Sequence, residues 1–470
     1  MSIDATIAGL RDTLGDKVVV TDARDIEPWL TDWRGRWTGA ASALLQPTTT
    51  QEVATIVRTC AEAGVPLVAQ GGNSSMVGGA TPPVDGSALI LSLRRMNKVR
   101  QLDTEAGTIV AEAGVILQNL HEAALAKGLR FPLTLGAKGS ATVGGLVSTN
   151  AGGTQVLRFG TMRGLTLGLE AVLPDGSVHD GLGGLKKDNR GPSLDQLLIG
   201  AEGTLGVVTA ALLKLVPAPR ARATAFAAIA DPAAALRLLR QVERRTDQVE
   251  GFELLPHDSL EAAKKHLGVS SPLGGRHDWY VLIEATQSEG QDDPQALLER
   301  LLAYAMEDGL VADAAISASE AQSEAMWRIR DGLSDSEKAV YGLATQHDIS
   351  VPVEAIPDFL ARAKAEVEAR WPGCWVSGYG HLGDGNIHLH VRAMERACEG
   401  WQEGEGKAIG AQVHDLVTQS GGSISAEHGI GQMKRDELAR LGEPARLFAL
   451  KAIKAALDPK GIMNPGKLIP

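Results

Sequence analysis

Apolar positions follow a helical period soon after the start of the chain. Val53, Ile56, Val57 and Cys60 repeat at i, i+3, i+4 and i+7, the spacing of one helix face. Thr49 and Glu52 frame its start as a capping box, and Gly64 stops it. Residues 65–69, 88–93 and 108–113 read as short strands, and 116–127 as a helix ended by Gly128. Between 136 and 153 the period disappears into small and polar residues, which predicts a long loop; loops of that length usually carry function. Residues 168–178 predict a strand with a turn at Pro174-Asp175-Gly176, and a second glycine cluster, 200–206, leads into another apolar strand. The Pro-Ala-Pro-Arg stretch at 217–220 reads as a linker. Beyond it, strands at 224–229, 279–285 and 311–317 alternate with helices, one opened by Asp231-Pro232 and others at 294–306 and 321–339. That rhythm predicts an α+β domain with helices on one face of a sheet. A last helix, 445–457, closes at Asp458-Pro459.

Composition narrows the function. The 470 residues carry 46 Lys plus Arg against 57 Asp plus Glu, a net charge of −11. Such a chain fits two or three domains, and its acidity argues against non-specific binding to nucleic acid or anionic membrane. Cys60, Cys374 and Cys398 lie far apart and form no CxxC pair, which suits a reducing cytosol. No apolar run reaches membrane-spanning length, and Met1-Ser2-Ile3-Asp4-Ala5 resembles neither a signal nor a transit peptide, so a cytoplasmic location is expected.

The densest chemistry lies in the stretch GYGHLGDGNIHLH at 378–390, which holds three of the eleven histidines. Asp384-Gly385 predicts a tight turn, with His381 on the entering strand and His388 on the leaving one. His388 and His390, two apart, share a face. Two such histidines, with a carboxylate such as Glu427, make a metal site; equally, hydrogen-bonded histidines could simply hold a hairpin together. His428, next to Glu427, has the right pKa range for proton abstraction, or is a loop histidine with no role. Arg330 and Ser334, four apart on the expected helix, could grip a carboxylate or form a solvated pair. The glycine-rich stretches 70–80 and 136–153 suggest phosphate cradles without the G-x-G-x-x-G fingerprint, which disfavours a Rossmann NAD site. Residues 461–468 nearly spell a P-loop, but Leu468 replaces the required Ser or Thr and no helix can follow.

Together these stretches resemble the FAD-dependent D-2-hydroxyacid dehydrogenases of the vanillyl-alcohol-oxidase type, nearest the D-2-hydroxyglutarate and D-lactate dehydrogenase branch. The matching segments are 66–80, 135–153, 158–176, 199–209, 378–391, 425–431 and 457–465, in family order. The resemblance implies an α+β architecture. A PCMH-type FAD-binding domain would occupy 38–217, after a helical leader at 1–37. A ferredoxin-like FAD-linked-oxidase C-terminal domain, an antiparallel sheet with helices, would occupy 218–444, and 445–470 would return to the FAD domain.

It also implies the site residues. Non-covalent FAD would lie against Gln70, Gly71, Gly72, Asn73, Ser74, Ser75, Gly79 and Ala80. From the second loop it would meet Pro132, Gly136, Ser140, Ala141, Thr142, Gly144, Gly145, Ser148, Thr149, Gly152 and Gly153. Glu202, Gly203, Gly206, Val207, Val208 and Asn464 would complete its surroundings. His381, His388 and Glu427 map onto the ligands of a divalent metal, zinc or manganese, and His428 onto the general base. Arg330 and Ser334 map onto carboxylate-holding residues, with His390 and Gln346 as further substrate contacts. Two positions depart from the hydroxyglutarate pattern: Gln346 replaces a lysine that helps neutralise the distal carboxylate, and His390 replaces an asparagine. The resulting expectation is oxidation of a D-2-hydroxyacid, with D-2-hydroxyglutarate first and D-lactate or a glycolate-type acid second. Electrons would pass to electron-transferring flavoprotein or a quinone-linked carrier, and the enzyme would be a homodimer. The rivals are a flavin-free metal-dependent hydrolase and a catalytically idle ligand-binding subunit.

Overall fold

The computed structural model describes residues 2–185, 187–393 and 400–470; Cys398 lies outside the described residues. The chain forms two compact units. The first comprises Met1–Gly153, Gly160–Ala218 and Glu427–Pro470, the second Thr154–Phe159 and Pro219–Ala426. By contacts, the chain re-enters the first unit at Glu427 rather than at residue 445, because residues 430 and 431 are tied by hydrogen bonds to Glu202 of that unit.

In the first unit, β1 (Val19–Val20) and β2 (Leu44–Leu45) precede α1 (Thr50–Ala63). The Thr49 side chain accepts from Glu52 N–H and Gly64 closes the helix in the left-handed region; the Glu52 carboxylate reaches one residue further back, to Thr48 N–H at 2.6 Å. The apolar face of α1 packs on β3 (Leu67–Gln70) and β4 (Leu89–Ser92), parallel neighbours in a four-stranded sheet. A second, antiparallel sheet holds β5 (Val99–Asp103), β6 (Thr108–Glu112), β7 (Thr166–Val172), β8 (Val178–Asp180) and β9 (Val207–Lys214). Between β6 and β7 the structure corrects the expected long loop: α2 (Val143–Thr149) forms there. Three residues, Val143, Leu146 and Val147, bury an i, i+3, i+4 stripe, which is enough to organise one short helix among glycines.

The second unit is one seven-stranded antiparallel sheet with a helix after most strands. In chain order these are β10 (Ala221–Ile229), α3 (Pro232–Glu243), β11 (Val249–Pro256), α4 (His257–Leu267), β12 (Trp279–Gln287), α5 (Pro294–Glu307) and β13 (Val311–Ile316). They continue as α6 (Glu320–Asp331), α7 (Leu333–Tyr341), β14 (Ala344–Ser350), α8 (Ile356–Arg370), β15 (Trp375–His381), β16 (Asn386–Arg392) and α9 (Glu405–Gln419). The sheet order is β13-β10-β12-β11-β15-β16-β14. Helices cover both faces, not one. Residues of α3, α5, α8 and α9 share a core with Ile349, Ile387, Leu389 and Val391. On the opposite face Leu260 and Ala263 of α4, Met326 and Ile329 of α6 and Leu333 of α7 pack on Phe226, Leu255 and Tyr379. The single helix expected at 321–339 is broken at Gly332, where a Cβ would lie 2.6 Å from the Leu267 Cδ1 atom. The close approach of α4 thus splits one periodic stretch into two helices. Back in the first unit, α10 (Pro444–Leu457) is the last helix. Among the described residues no helix is long and apolar enough to cross a membrane.

Candidate active site

β3 ends at Gln70, whose Nε2 donates to Trp29 O at 3.1 Å and Ala80 O at 2.8 Å, closing the following loop on itself. Arg94 donates to the carbonyls of Gly71 and Gly72 at 3.2 and 3.1 Å. The backbone N–H groups of residues 71–75, in contrast, donate no hydrogen bond among the described residues. Consecutive amides left this way form a concavity for an anion. The second loop presses against the first: a Cβ on Gly72 would lie 1.9 Å from Ser140 O, and one on Gly71 2.3 Å from Thr142 Oγ1. Only glycine fits between them.

Three buried side-chain atoms here lack any hydrogen-bond partner: Gln70 Oε1, Thr142 Oγ1 and Asn464 Oδ1. Asn464 Nδ2 donates to Gly79 O at 3.0 Å and Glu202 O at 2.7 Å, so the C-terminal segment knits the first loop to the Glu202 turn. Glu202 adopts a positive φ of 50°, donates its N–H to Ser148 O at 2.8 Å, and accepts from Ile430 and Gly431 N–H at 2.7 Å each. Burial pushes its carboxyl up despite those bonds. Of the other expected FAD contacts, Gly144, Gly145, Ser148 and Thr149 ride on α2 and Val207 and Val208 begin β9. Pro132 is buried and Gly136 exposed on the stretch before α2. The open amides and the glycine-only packing fit the phosphates of a dinucleotide, and the orphaned amide oxygens, which only accept, fit its hydroxyl and N–H donors.

The second unit gathers a different kind of site on the face of its sheet opposite Ile387 and Leu389. Register pairs Tyr379 with His388, Ser377 with His390 and His381 with Asn386 across β15 and β16. On the other side it pairs Gln346 with His390 and Asp348 with His388 across β14 and β16. Directly opposed residues share a face, so these side chains form one polar patch. The turn joining β15 and β16 spans four residues, with Asp384 accepting from Asn386 N–H at 3.0 Å and Gly385 at φ 88°. The His381 and His388 rings lie 5.7 Å apart. His381 and His390 are buried, whereas His388 and Gln346 are half-buried.

Glu253 of β11 sits beneath His381, to which register pairs it. Its Oε1 accepts from His381 Nδ1 at 2.7 Å and its Oε2 accepts from Arg330 Nε at 2.6 Å. Arg330 Nη2 lies 3.3 Å from His381 Nε2. A guanidinium only donates, so Nε2 is the acceptor and the ring carries its proton on Nδ1. Burial pushes the Glu253 carboxyl up, and the neighbouring His381 and Arg330 more than reverse this, leaving it at about 2. Arg330, next to last in α6, stands over the Tyr379 ring at 5.4 Å, and Ser334 of α7 lies close enough to the Tyr379 phenol to offset part of the upward push of burial. The helix break therefore does not separate them; both converge on Tyr379.

Glu427 and His428 are half-buried and open the stretch that re-enters the first unit. The reading from sequence missed Glu253, Glu337, Tyr379 and Arg392. A carboxylate inside the apolar strand 249–256 was a signal for Glu253, since an acid at a buried position needs partners. Glu337 falls seven residues after Arg330 and three after Ser334, the same helical spacing.

Comparison with known proteins agrees with both halves. Residues 41–181 match the FAD binding domain family, and residues 218–468 match the family of FAD linked oxidases, C-terminal domain. A mitochondrial D-2-hydroxyglutarate dehydrogenase of Arabidopsis thaliana is 38% identical over 99% of this chain and 81% of its own length. The mitochondrial D-2-hydroxyglutarate dehydrogenase of Bos taurus is 38% identical over 96% of this chain and 81% of its own. Among solved structures, p-cresol methylhydroxylase superposes with a TM-score of 0.76 over 99% of this chain and 96% of its own, at 17% identity, a likeness of fold. The PCMH-type FAD-binding domain, the antiparallel C-terminal domain and the relatives' shared length leave one assignment: the chain belongs to the FAD-linked oxidases, in the branch of FAD-dependent D-2-hydroxyacid dehydrogenases.

Proposed function

We propose that this chain oxidises a D-2-hydroxyacid to the 2-oxoacid with help from a divalent cation, zinc or manganese. D-2-hydroxyglutarate is the first candidate substrate, from its relatives' names, and D-lactate or another D-2-hydroxyacid the second. The observation that carries the reading is the polar patch on the second sheet: Glu253 fixes the proton of His381 on Nδ1, so Nε2, which accepts from Arg330 Nη2 in this structure, keeps the electron pair a cation would share, with the His388 ring 5.7 Å away. A histidine so oriented by a carboxylate is a common metal ligand. His381, His388 and Glu427 would hold the cation, and its chemistry there is that of a Lewis acid toward the hydroxyl and carboxylate oxygens.

Arg330 binds and orients the substrate's carboxylate, helped by Ser334, while Gln346 and His390 line the far end. His428 takes the hydroxyl proton on an imidazole nitrogen. When bound, FAD supplies a hydride acceptor for the substrate's Cα hydrogen. The residues of the two glycine-rich loops hold it non-covalently through backbone amides. Gln346, in place of lysine, is what favours the second reading of the substrate. Electron-transferring flavoprotein or a quinone-linked carrier would reoxidise the enzyme, as a cytoplasmic homodimer. Treatment with a chelator tests the cation: steady-state turnover should stop with the flavin spectrum intact, and added zinc or manganese should restore it. Turnover indifferent to chelation contradicts the proposal.

A further inference from the structure

The buried carboxylates on the polar face of the second sheet include Glu253, Glu337 and Asp348, and only Glu253 has a part in the proposed chemistry. Glu337 of α7 is 2% exposed. Its Oε2 accepts from His390 Nδ1 at 2.7 Å. Its Oε1 lies 2.9 Å from Arg392 Nη2 and accepts from Ser377 Oγ at 3.3 Å and from Ser259. Arg392 is held between the rings of Tyr341 and Trp375, at 3.9 and 4.1 Å. The contact with Glu337 is an ion pair by distance without hydrogen-bond alignment, and the Arg392 nitrogens are sealed from solvent. Arg392 therefore cannot reach a ligand; it clamps Glu337.

We propose that Glu337 is a positioning residue that determines specificity. It holds His390 by Nδ1 and cancels the charge of Arg392, so that the far end of the substrate site recognises a distal group by hydrogen bonds rather than by charge. Within the D-2-hydroxyacid reading this reverses the order taken from the relatives' names: the site is biased toward D-2-hydroxyacids with an uncharged distal group, D-lactate among them, and against those ending in a second carboxylate. The geometry supports this at three points. His390 follows His388 along one face of β16 at about 6.6 Å, two strand residues, a distance on the scale of a short hydroxyacid. Gln346, directly opposite His390, brings no charge. Among the described residues, the cations on this face, Arg330 and Arg392, each already meet a buried carboxylate, and the buried Asp348 adds another acid. A second substrate carboxylate would enter without a cation to spare, which is unfavourable in a buried site.

The inference rests on the D-2-hydroxyacid reading, and the test separates the two. Flavin reduction by D-2-hydroxyglutarate and by D-lactate is measured on wild type, Glu337→Gln, Glu337→Asp and Gln346→Lys, and the ratio of the two kcat/KM values is compared. Glu337→Gln should raise the ratio in favour of D-2-hydroxyglutarate by about tenfold, chiefly through a lower KM for the dicarboxylate. Glu337→Asp should keep the wild-type ratio. Gln346→Lys should move the ratio the same way as Glu337→Gln, and decides the matter if Glu337→Gln does not fold. Reduction by both acids with a ratio that no variant raises overturns the role of Glu337 alone. A wild-type flavin that no D-2-hydroxyacid reduces overturns the functional reading beneath it.

Discussion

The glycine-rich loops of the first unit and the polar sheet face of the second are built by opposite means. The loops offer backbone: open amides at 71–75, and packing so close that a Cβ on Gly72 would collide with Ser140 O. The sheet face offers side chains, each fixed by a partner from far along the chain, such as Glu253 for His381 and Glu337 for His390. The backbone site is marked by its own local glycines, although Ser140 and Asn464 help close it. A side-chain site depends on distant residues, so it fails in more ways and can be retuned at more positions.

If that contrast is right, the largest effect should come from the residue assigned the chemistry itself. His428→Ala should leave flavin bound and slow its reduction by roughly 10²–10⁴-fold, the usual range for a general base. Fast reduction retained in the variant removes His428 from that role. Next in size, Glu253→Ala leaves a buried arginine without its acid, and should cost about 3–5 kcal/mol of stability in denaturant unfolding. Because the partner comes from another strand, divalent-metal affinity, read by chelator competition, should fall in the milder Glu253→Gln variant. Affinity unchanged in that variant would show that the carboxylate does not orient the ligand.

On the backbone side, Thr142→Val should weaken FAD binding by about 1 kcal/mol if the cofactor satisfies the orphaned hydroxyl. It should leave metal affinity alone, and an effect on metal would blur the contrast. A separate effect is expected in acid. The carboxyls of Glu253 and Glu337, ordinarily near 4.5, lie at about 2, burial being outweighed by their cationic and hydrogen-bonding neighbours. Folded values below the ordinary one mean that their stabilisation is present above about pH 4.5 and lost as pH falls toward 2. Glu337→Gln should therefore flatten the loss of stability between pH 4.5 and pH 2, measured by denaturant midpoints.

The same contrast explains what could be read from the sequence. The helix cap at Thr49, the cap at Asp231 and the histidine hairpin are local signals, and they form where expected, with Glu52 reaching Thr48 rather than Thr49. The short helix Val143–Thr149 escaped because three buried apolar residues among glycines are too few to show a period. The break at Gly332 escaped because it is caused by Leu267, which no local window contains. Helices on both faces of the second sheet escaped for a related reason: β10 is buried on both sides, with Ala225 and Ala227 in one core and Phe226 and Ala228 in the other, and a strand buried on both sides shows no alternation. The two glycine-rich loops and the paired histidines were legible as motifs; the carboxylates that orient those histidines were not, since nothing near Glu253 or Glu337 in the chain names its partner.

The most direct measurement is an anaerobic visible spectrum of the purified protein before and after adding each enantiomer of 2-hydroxyglutarate and of lactate. The account predicts a flavin band that bleaches with a D-enantiomer and not with its L-counterpart. A band that no D-2-hydroxyacid bleaches, or that L-enantiomers bleach equally, would contradict it.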